Sequence, residues 1–505
     1  MKVVDKHDNN YNESADQYAS TAHPEKLKPS KIFYAENDKD VLEALKYARD
    51  NNVKLSVRTG GHSYVGASST TDNNVQLDLS RTYLDFDASK IDDRIISCGI
   101  SFSLNEFSKK LSQHKCYVPH GGCGTVHLGG HITTGGYGYG TRAFGLLGDH
   151  VLSFRIILAD GTIIKKVTKE TDPDLFFAVL GGGPGYGILT HVTLKVYRDE
   201  DYPCSRVLIR YIPFTMERYE YFVRLIDKWS RNDKLPKQFN VFITMGHVFS
   251  DYTLKINNLG FMHKTVPSLI YLSARWFDNK PSVKYKRYFD LLSIYDDEFL
   301  ILNKTLTIVF DKIASEINYT PLSEISSLDI DQLTREIYYN LKSVNVTYMT
   351  DKIKSKTFVS KYIRELEKYN GIMPTTQIVL IGGKNSQLNK KSGNGTSYSH
   401  RKLTCMLGVN CQYIDDKEYN FNFIRNLKRK LIGKRGCFSE PDMRMISFPY
   451  NLDDGYSLDK LHSNYFDSQE KYQRLCQIRD KYDPDKLFSA NDFCVSKDIN
   501  KNPSF

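Results

Sequence analysis

Three glycine-dense stretches hold the residues of this chain best placed to do chemistry. Residues 58–66 read RTGGHSYVG, residues 121–140 read GGCGTVHLGGHITTGGYGYG, and residues 180–188 read LGGGPGYGI. Glycine gives up the most conformational freedom on folding, so such runs are either linker or backbone that something must approach closely. Adjacent glycines after a strand let backbone N–H groups cradle an anion. The first loop lacks the lysine–serine end of a Walker loop, and no helix follows it to make a Rossmann turn. The third has dinucleotide-like glycine spacing but follows a helix and not a first strand. Each loop alone is a weak signal, and a histidine such as His62 or a thiol such as Cys123 could be structural. Three loops in one lobe imply a large ligand with a pyrophosphate threaded among them.

The elements that must position these loops are legible around them. Residues 37–58 read as an amphipathic helix, capped by Asn37 or Asp38, followed by a strand running into the first glycine turn. VQLDLSRT and RIISCGIS read as strands, SFSLNEFSKKLSQHK as a helix, and HVLSFRIILADGTIIKKV as a hairpin turning at Asp160-Gly161. PDLFFAVL forms a short helix before the third loop. From about residue 205 the texture changes to long helices, TMERYEYFVRLIDKW and LDIDQLTREIYYNLK, alternating with strands FNVFITMG, SLIYLSARWF, TQIVLIGG and TCMLGVNCQY. That pattern predicts a second lobe, a sheet with helices on one face. Residues 384–397, KNSQLNKKSGNGTS, have the composition of a mobile loop.

Composition narrows the function classes. The chain has 505 residues, enough for two or three lobes, and a net charge of +10, which suits an acidic ligand such as a phosphate-bearing cofactor. The basic stretch NLKRKLIGKRG at 426–436 reads as a solvated helix face and not a nucleic-acid surface. No apolar run is long enough for a membrane span, and the amino terminus lacks a signal-peptide core, so a soluble protein is expected. Compartment and oligomeric state stay open. The nine cysteines are odd in number, with no CxxC pair, so neither a disulfide framework nor a metal site is expected.

Taken in order, RTGGHSY, PHGGCGTVHLGGHITTGGYGYGTRAFGLLGDHV, GGGPGYGILT and YQRLCQIRDKYDPDKLF resemble the berberine-bridge-enzyme-like branch of the vanillyl-alcohol-oxidase flavoproteins. That group includes hexose and oligosaccharide oxidases. The resemblance implies an α+β fold: a PCMH-type FAD-binding domain over 1–204, a substrate domain over 205–440 with an antiparallel sheet covered by helices, and a segment over 441–505 returning to the FAD domain. It implies FAD bonded twice, His62 to the flavin 8α carbon and Cys123 to C6. Arg58, Thr59, Gly60, Gly61, Ser63, Gly129, Gly130, Gly182, Gly183, Gly187 and Ile188 would line the cofactor.

The same resemblance assigns the chemistry. Val126 falls where a small residue admits dioxygen, which favours an oxidase releasing hydrogen peroxide over a dehydrogenase. Tyr450, in MISFPYNLDD, matches the tyrosine that takes the substrate proton, and Tyr64 matches a second tyrosine two residues after the flavin histidine. A carboxylate is usual on the strand before a GG pair; QIVLIGG offers only Gln377. His127 replaces a usual glycine, and His400-Arg401 matches a pair at the rim. The expected substrate is an alcohol, foremost a sugar's anomeric hydroxyl. A same-fold dehydrogenase with another acceptor, and a flavin-bearing interaction protein with little catalysis, stand as alternatives.

Overall fold

The computed structural model describes residues 1–17, 27–246, 269–296, 319–329, 342–366, 375–413, 417–431, 436–437, 464–490 and 495. The first lobe holds two main sheets and a two-stranded pairing of Cys116–Tyr117 with Tyr197–Arg198. One is mixed, pairing Lys2–Asp5, Lys31–Tyr34, Val75–Asp78 and Leu55–Arg58 in that order, with the last three strands parallel. The helix Asp38–Asp50 makes the crossover between two of them, and the Asn37 side chain caps it by accepting from the Asp40 N–H. The other sheet is antiparallel and includes the expected hairpin, Val151–Ile157 with Ile163–Val167, which turns at Gly161 with φ of +91°. The helix Leu104–Gln113 starts with a reciprocal capping box between Ser103 and Glu106.

The second lobe is a six-stranded antiparallel sheet in the order Arg206–Pro213, Leu269–Trp276, Phe239–Gly246, Thr375–Leu380, Cys405–Tyr413, Lys342–Thr350. Side chains alternate across a strand, so each strand has an inner and an outer set. Leu208, Leu272, Ile243, Ile378 and Leu407 face the helices Met216–Ser230 and Ser355–Leu366, as the alternation of strands and helices predicts. The opposite face meets the first lobe. There Val207, Ile209 and Tyr211 pack with Tyr117, Ala143 and Phe144, while Phe242, Val379 and Met406 pack with Leu146 and Tyr398.

Two buried polar latches lock the lobes. The Arg142 guanidinium, 1% exposed, donates to the carbonyls of Pro236, Phe239 and Gly382 at 3.1, 2.5 and 2.9 Å. Asp149 accepts from Arg401 at 2.7 Å and from Asn394 at 2.6 Å. That second latch fixes part of residues 384–397. Ser386 caps the short helix Gln387–Lys390, Leu388 is fully buried, and the expected mobile loop is instead an ordered interlobe contact.

The chain then returns to the first lobe. Along the helix Gln469–Tyr482, Arg474 pairs with Asp174 and the Tyr482 hydroxyl donates to Asp172 at 2.5 Å. The Leu55 N–H donates to the Leu487 carbonyl at 2.9 Å.

Candidate active site

The first loop leaves the strand Leu55–Arg58 at an anchored end. Arg58 is fully buried and its guanidinium pairs with Asp78 at 2.6 Å and donates to the carbonyls of Ser14 and Asp16. These contacts fasten the start of the loop to the amino-terminal segment. Beyond it Gly61 adopts φ of +68°, a left-handed conformation glycine takes freely. Ser63 Oγ accepts from the Ala67 N–H at 3.0 Å, closing the turn. His62, Ser63 and Tyr64 are each half-buried.

Within the second stretch the glycine run is not all loop. Leu128–Thr133 is a helical turn, held by burial of Leu128 and Ile132 and by the Gly129 N–H donating to the Ile100 carbonyl at 2.9 Å. Cys123 is half-buried, its Sγ 3.8 Å from Thr125 Oγ1. The loop is pinned to the helix behind it: Leu104 N–H donates to the Val126 carbonyl at 2.7 Å and Asn105 N–H to that of Gly124 at 2.9 Å. Val126 is half-buried against the main core.

The two loops touch. A Cβ on Gly60 would lie 2.6 Å from His127 Cδ2, and one on Gly129 would lie 3.3 Å from Thr59 Cγ2. Gly130, by contrast, is exposed, and a Cβ there would meet no described atom beyond its own helical turn within 4 Å. Two neutral histidines brace the stretch. His131 Nε2 accepts the Gly121 N–H at 2.9 Å, and burial, with His120 nearby, lowers its pKa to about 3. His120 is lowered to about 4 by burial; its Nδ1 meets the Gly121 carbonyl at 2.8 Å and its Nε2 meets Ser326 Oγ at 2.6 Å.

The third loop docks on the same helical turn, through the Gly181 N–H donating to the Thr133 carbonyl at 3.0 Å. Its glycines answer mainly to protein packing. A Cβ on Gly182 would strike the Ala178 carbonyl at 2.5 Å, and one on Gly187, at φ of +140°, would strike Ile156 at 2.8 Å. Ile188 is buried and pairs with Ile157 in the antiparallel sheet. Gly183, at φ of +78°, is buried in the turn between them.

Across the seam, strand register places Gln377 beside Thr244 and Gly408, with Tyr271, Tyr211 and Thr347 continuing the same row. Thr375 and Asn410 form the next row on that face. Below this shelf Phe242, Val379 and Met406 seal the lobes; on it Thr244, Gln377, Thr375 and Asn410 are half-buried and uncharged. Asn410 Oδ1 is buried and accepts no hydrogen bond among the described residues. The sequence reading missed Thr244 and Asn410, although the alternation in FNVFITMG put Asn240, Phe242 and Thr244 on one face. Arg401 belongs to the interlobe latch, and His400 Nε2 meets the Asn464 carbonyl at 2.9 Å. Tyr450 and its segment 445–454 lie outside the described residues.

The loop set is chemically suited to a flavin dinucleotide: three glycine turns around one helical turn, an open face at Gly130, and an imidazole and a thiol on adjoining loops. No described group of histidine, cysteine and carboxylate side chains could hold a metal ion, and no described helix is long and apolar enough to cross a membrane. Residues 29–166 match the FAD binding domain family. The chain is 26% identical over 463 residues to the FAD-linked oxidoreductase sorD of Penicillium rubens, covering 91% of this chain and 88% of that protein. For other FAD-linked oxidoreductases the match spans as little as 30% of their length. Its fold matches that of wild-type Physcomitrella patens BBE-like 1, at a TM-score of 0.72 and 16% identity over 98% of this chain and 97% of that one. The same holds for xylooligosaccharide oxidase from Myceliophthora thermophila, solved with xylobiose, at a TM-score of 0.72 and 18% identity over 98% and 97%. Residues 29–166 thus carry an FAD binding domain, the chain is similar over most of its length to an FAD-linked oxidoreductase, and its fold is that of berberine-bridge-enzyme-like and oligosaccharide-oxidase structures.

Proposed function

We propose that the protein is an oxidase carrying FAD bonded to both His62 and Cys123, which oxidises an alcohol, foremost the anomeric hydroxyl of a sugar or oligosaccharide, and reduces dioxygen to hydrogen peroxide. The observation that carries this reading is the contact between the loops bearing those two side chains, at Gly60 and His127. An imidazole and a thiolate are the nucleophiles that can add to an electrophilic ring edge. FAD held there by His62 and Cys123 would supply a hydride acceptor that dioxygen can reoxidise.

The chain's own groups do the rest. Thr244, Gln377, Thr375 and Asn410 offer donors and acceptors without charge, which suits the hydroxyls of a neutral sugar and not an acidic one. In this reading Tyr450 takes the hydroxyl proton, with Tyr64 beside the flavin histidine. Gln377 can orient a hydroxyl but holds no negative charge, so activation of the tyrosine falls to a cation or another hydroxyl. Val126 leaves dioxygen a path.

Peptide mass analysis should find flavin on both the His62 and the Cys123 peptides, and the yellow band should survive denaturing gel and acid. Anaerobic bleaching by mono- or oligosaccharides, followed by rapid recolouring in air, supports the oxidase. Acid-releasable flavin refutes the covalent reading. Slow recolouring points to a non-oxygen acceptor, and a panel that bleaches nothing points to an interaction protein.

A further inference from the structure

The two interlobe latches flank a group of lysines that the chemistry above does not use. Lys237 follows Pro236, whose carbonyl Arg142 holds, and Lys390 and Lys391 close the short helix that leads to Asn394 in the other latch. From the first lobe, Lys195 ends the strand Ile188–Lys195, where Leu194 pairs with Val151 and so sets Lys195 beside His150. Lys237 and Lys391 are half-buried, Lys195 and Lys390 exposed. The charges of Lys195 and Lys237 bear on Lys391, and that of Lys390 on Lys237. Among the described residues none of these lysines has a carboxylate within ion-pair distance. Asp149 is already taken: its oxygens accept from Arg401, Asn394 and the Leu146 N–H.

Among the described residues the Lys391 ammonium meets one polar atom, His150 Nε2, at 3.4 Å, and that nitrogen also lies 3.1 Å from the Phe144 carbonyl. One ring nitrogen cannot serve both. If it donates to Phe144, it turns an N–H toward the ammonium; if it accepts from Lys391, it sets a lone pair against the carbonyl oxygen. Protonating the ring does not help, since burial and the Lys391 charge hold His150 neutral, lowered to about 3. A cation withdrawn from water needs an opposite charge or acceptors, and no described group supplies Lys391 with either.

We propose that the lobe junction holds a binding site for a small multivalent oxyanion with the chemistry of phosphate, held by Lys391 and Lys237 with Lys195 and Lys390 on its exposed side. The anion's oxygens take the Lys391 protons, which leaves the His150 Nε2–H for the Phe144 carbonyl. Lys195 comes from the first lobe and the others from the second, so a bound anion draws the lobes together and adds to the latches. The site takes no residue from the three glycine loops and does not depend on how the flavin is attached.

The test uses the full-length holoprotein with inorganic phosphate as the probe, read by titration calorimetry and by melting temperature. Wild-type melting temperature should climb with the logarithm of phosphate concentration above the dissociation constant. Phosphate also stabilises proteins generally by exclusion from their surface, so the response is compared with that of Lys391→Gln. That variant should keep its flavin and bind phosphate about tenfold more weakly or worse, which is what a hydrogen bond to a charged group contributes. Lys195→Gln, at an exposed position, should weaken binding too and carries the same comparison if Lys391→Gln does not fold. Saturable binding of inorganic phosphate, or tighter binding of glycerol phosphate, supports the site and tells a free anion from a carried one. Equal phosphate affinity in wild type and variants overturns it, and so does a wild type with no saturable titration. Flavin lost from Lys391→Gln would put the lysines on the cofactor and overturn a separate site.

Discussion

Asp149 and Arg401 form an ion pair across the two lobes, 2.7 Å apart, with side chains 0% and 4% exposed. Removing one partner from such a pair strands the other charge in the interior, which costs about 3–5 kcal/mol. Asp149→Ala is therefore expected to destabilise the protein by that order, and Arg401→Lys to recover little, since a lysine cannot reproduce the two-pronged contact. Urea unfolding measures both. An Asp149→Ala protein as stable as wild type would show that the pair does not lock the lobes.

Arg142 makes the other latch with no carboxylate in hydrogen-bond contact among the described residues. Burial lowers its pKa to about 10, and its charge is held by backbone carbonyls of the other lobe. Arg142→Met fills similar volume but removes the guanidinium donors, and of the Pro236, Phe239 and Gly382 carbonyls only the first keeps another donor among the described residues, the Phe239 N–H. A stranded buried acceptor costs about 1–3 kcal/mol, so a loss of about 2 kcal/mol or more is expected. Limited proteolysis at the lobe junction should quicken in parallel.

Acid should act in two stages. His120 and His131 are neutral in the folded protein, lowered to about 4 and about 3, chiefly by burial. The unfolded chain protonates them from about pH 6.5 downward. Their contribution is thus complete above that pH and is lost as pH falls toward 4, at about 1.4 kcal/mol per unit for His120. Burial works against the Asp149 charge, but Arg401 and its other donors hold the carboxyl below its ordinary range, so its contribution disappears only further down. Unfolding free energies at pH 7, 5.5 and 4.5 measure the first stage, and His120→Gln should flatten it. A profile unchanged between pH 7 and 5 would contradict the neutral histidines.

The glycine loops, the Asn37 cap and the alternation of strands and helices in the second lobe were all legible, because each is a local signal carried by neighbouring residues. The helical turn at Leu128–Thr133 was not. Two glycines in six residues argue against a helix, and only burial of Leu128 and Ile132 and a hydrogen bond to Ile100 overrule them. The latches were equally hidden, since nothing in TRAFGLLGD tells that Arg401 lies 252 residues from Asp149. Polar composition at 384–397 suggested mobility where Asn394 and Ser386 instead fix the chain. Arg58 was read with its loop, but a buried carboxylate on the neighbouring strand claims its side chain.

Gly130→Ala separates a cofactor surface from a packing requirement. Among the described residues no atom beyond its own helical turn lies within 4 Å of the added carbon, and an alanine in a helical turn is favoured over glycine by up to about 1 kcal/mol. The polypeptide should therefore be at least as stable without flavin. A fall in FAD content at unchanged melting temperature of the flavin-free protein would place the cofactor against this face. Full FAD content would remove Gly130 from the cofactor surface.

Gly408 gives the matching test for substrate. It lies between Gln377 and Thr347 on the face turned to the first lobe, and among the described residues a Cβ there would meet only Thr347 Oγ1, at an unstrained 3.7 Å. Gly408→Ala should fold normally and keep its flavin. If the sugar rests on this neutral shelf, the methyl group intrudes on it and KM rises while the flavin spectrum stays the same. Gln377→Leu removes a donor and an acceptor from the same row, and losing hydrogen bonds to an uncharged hydroxyl costs about 0.5–1.5 kcal/mol each, so kcat/KM should drop roughly tenfold. Steady-state kinetics on whichever sugar bleaches the flavin fastest decide the matter. Unchanged KM in Gly408→Ala together with unchanged kcat/KM in Gln377→Leu would move the substrate off the sheet.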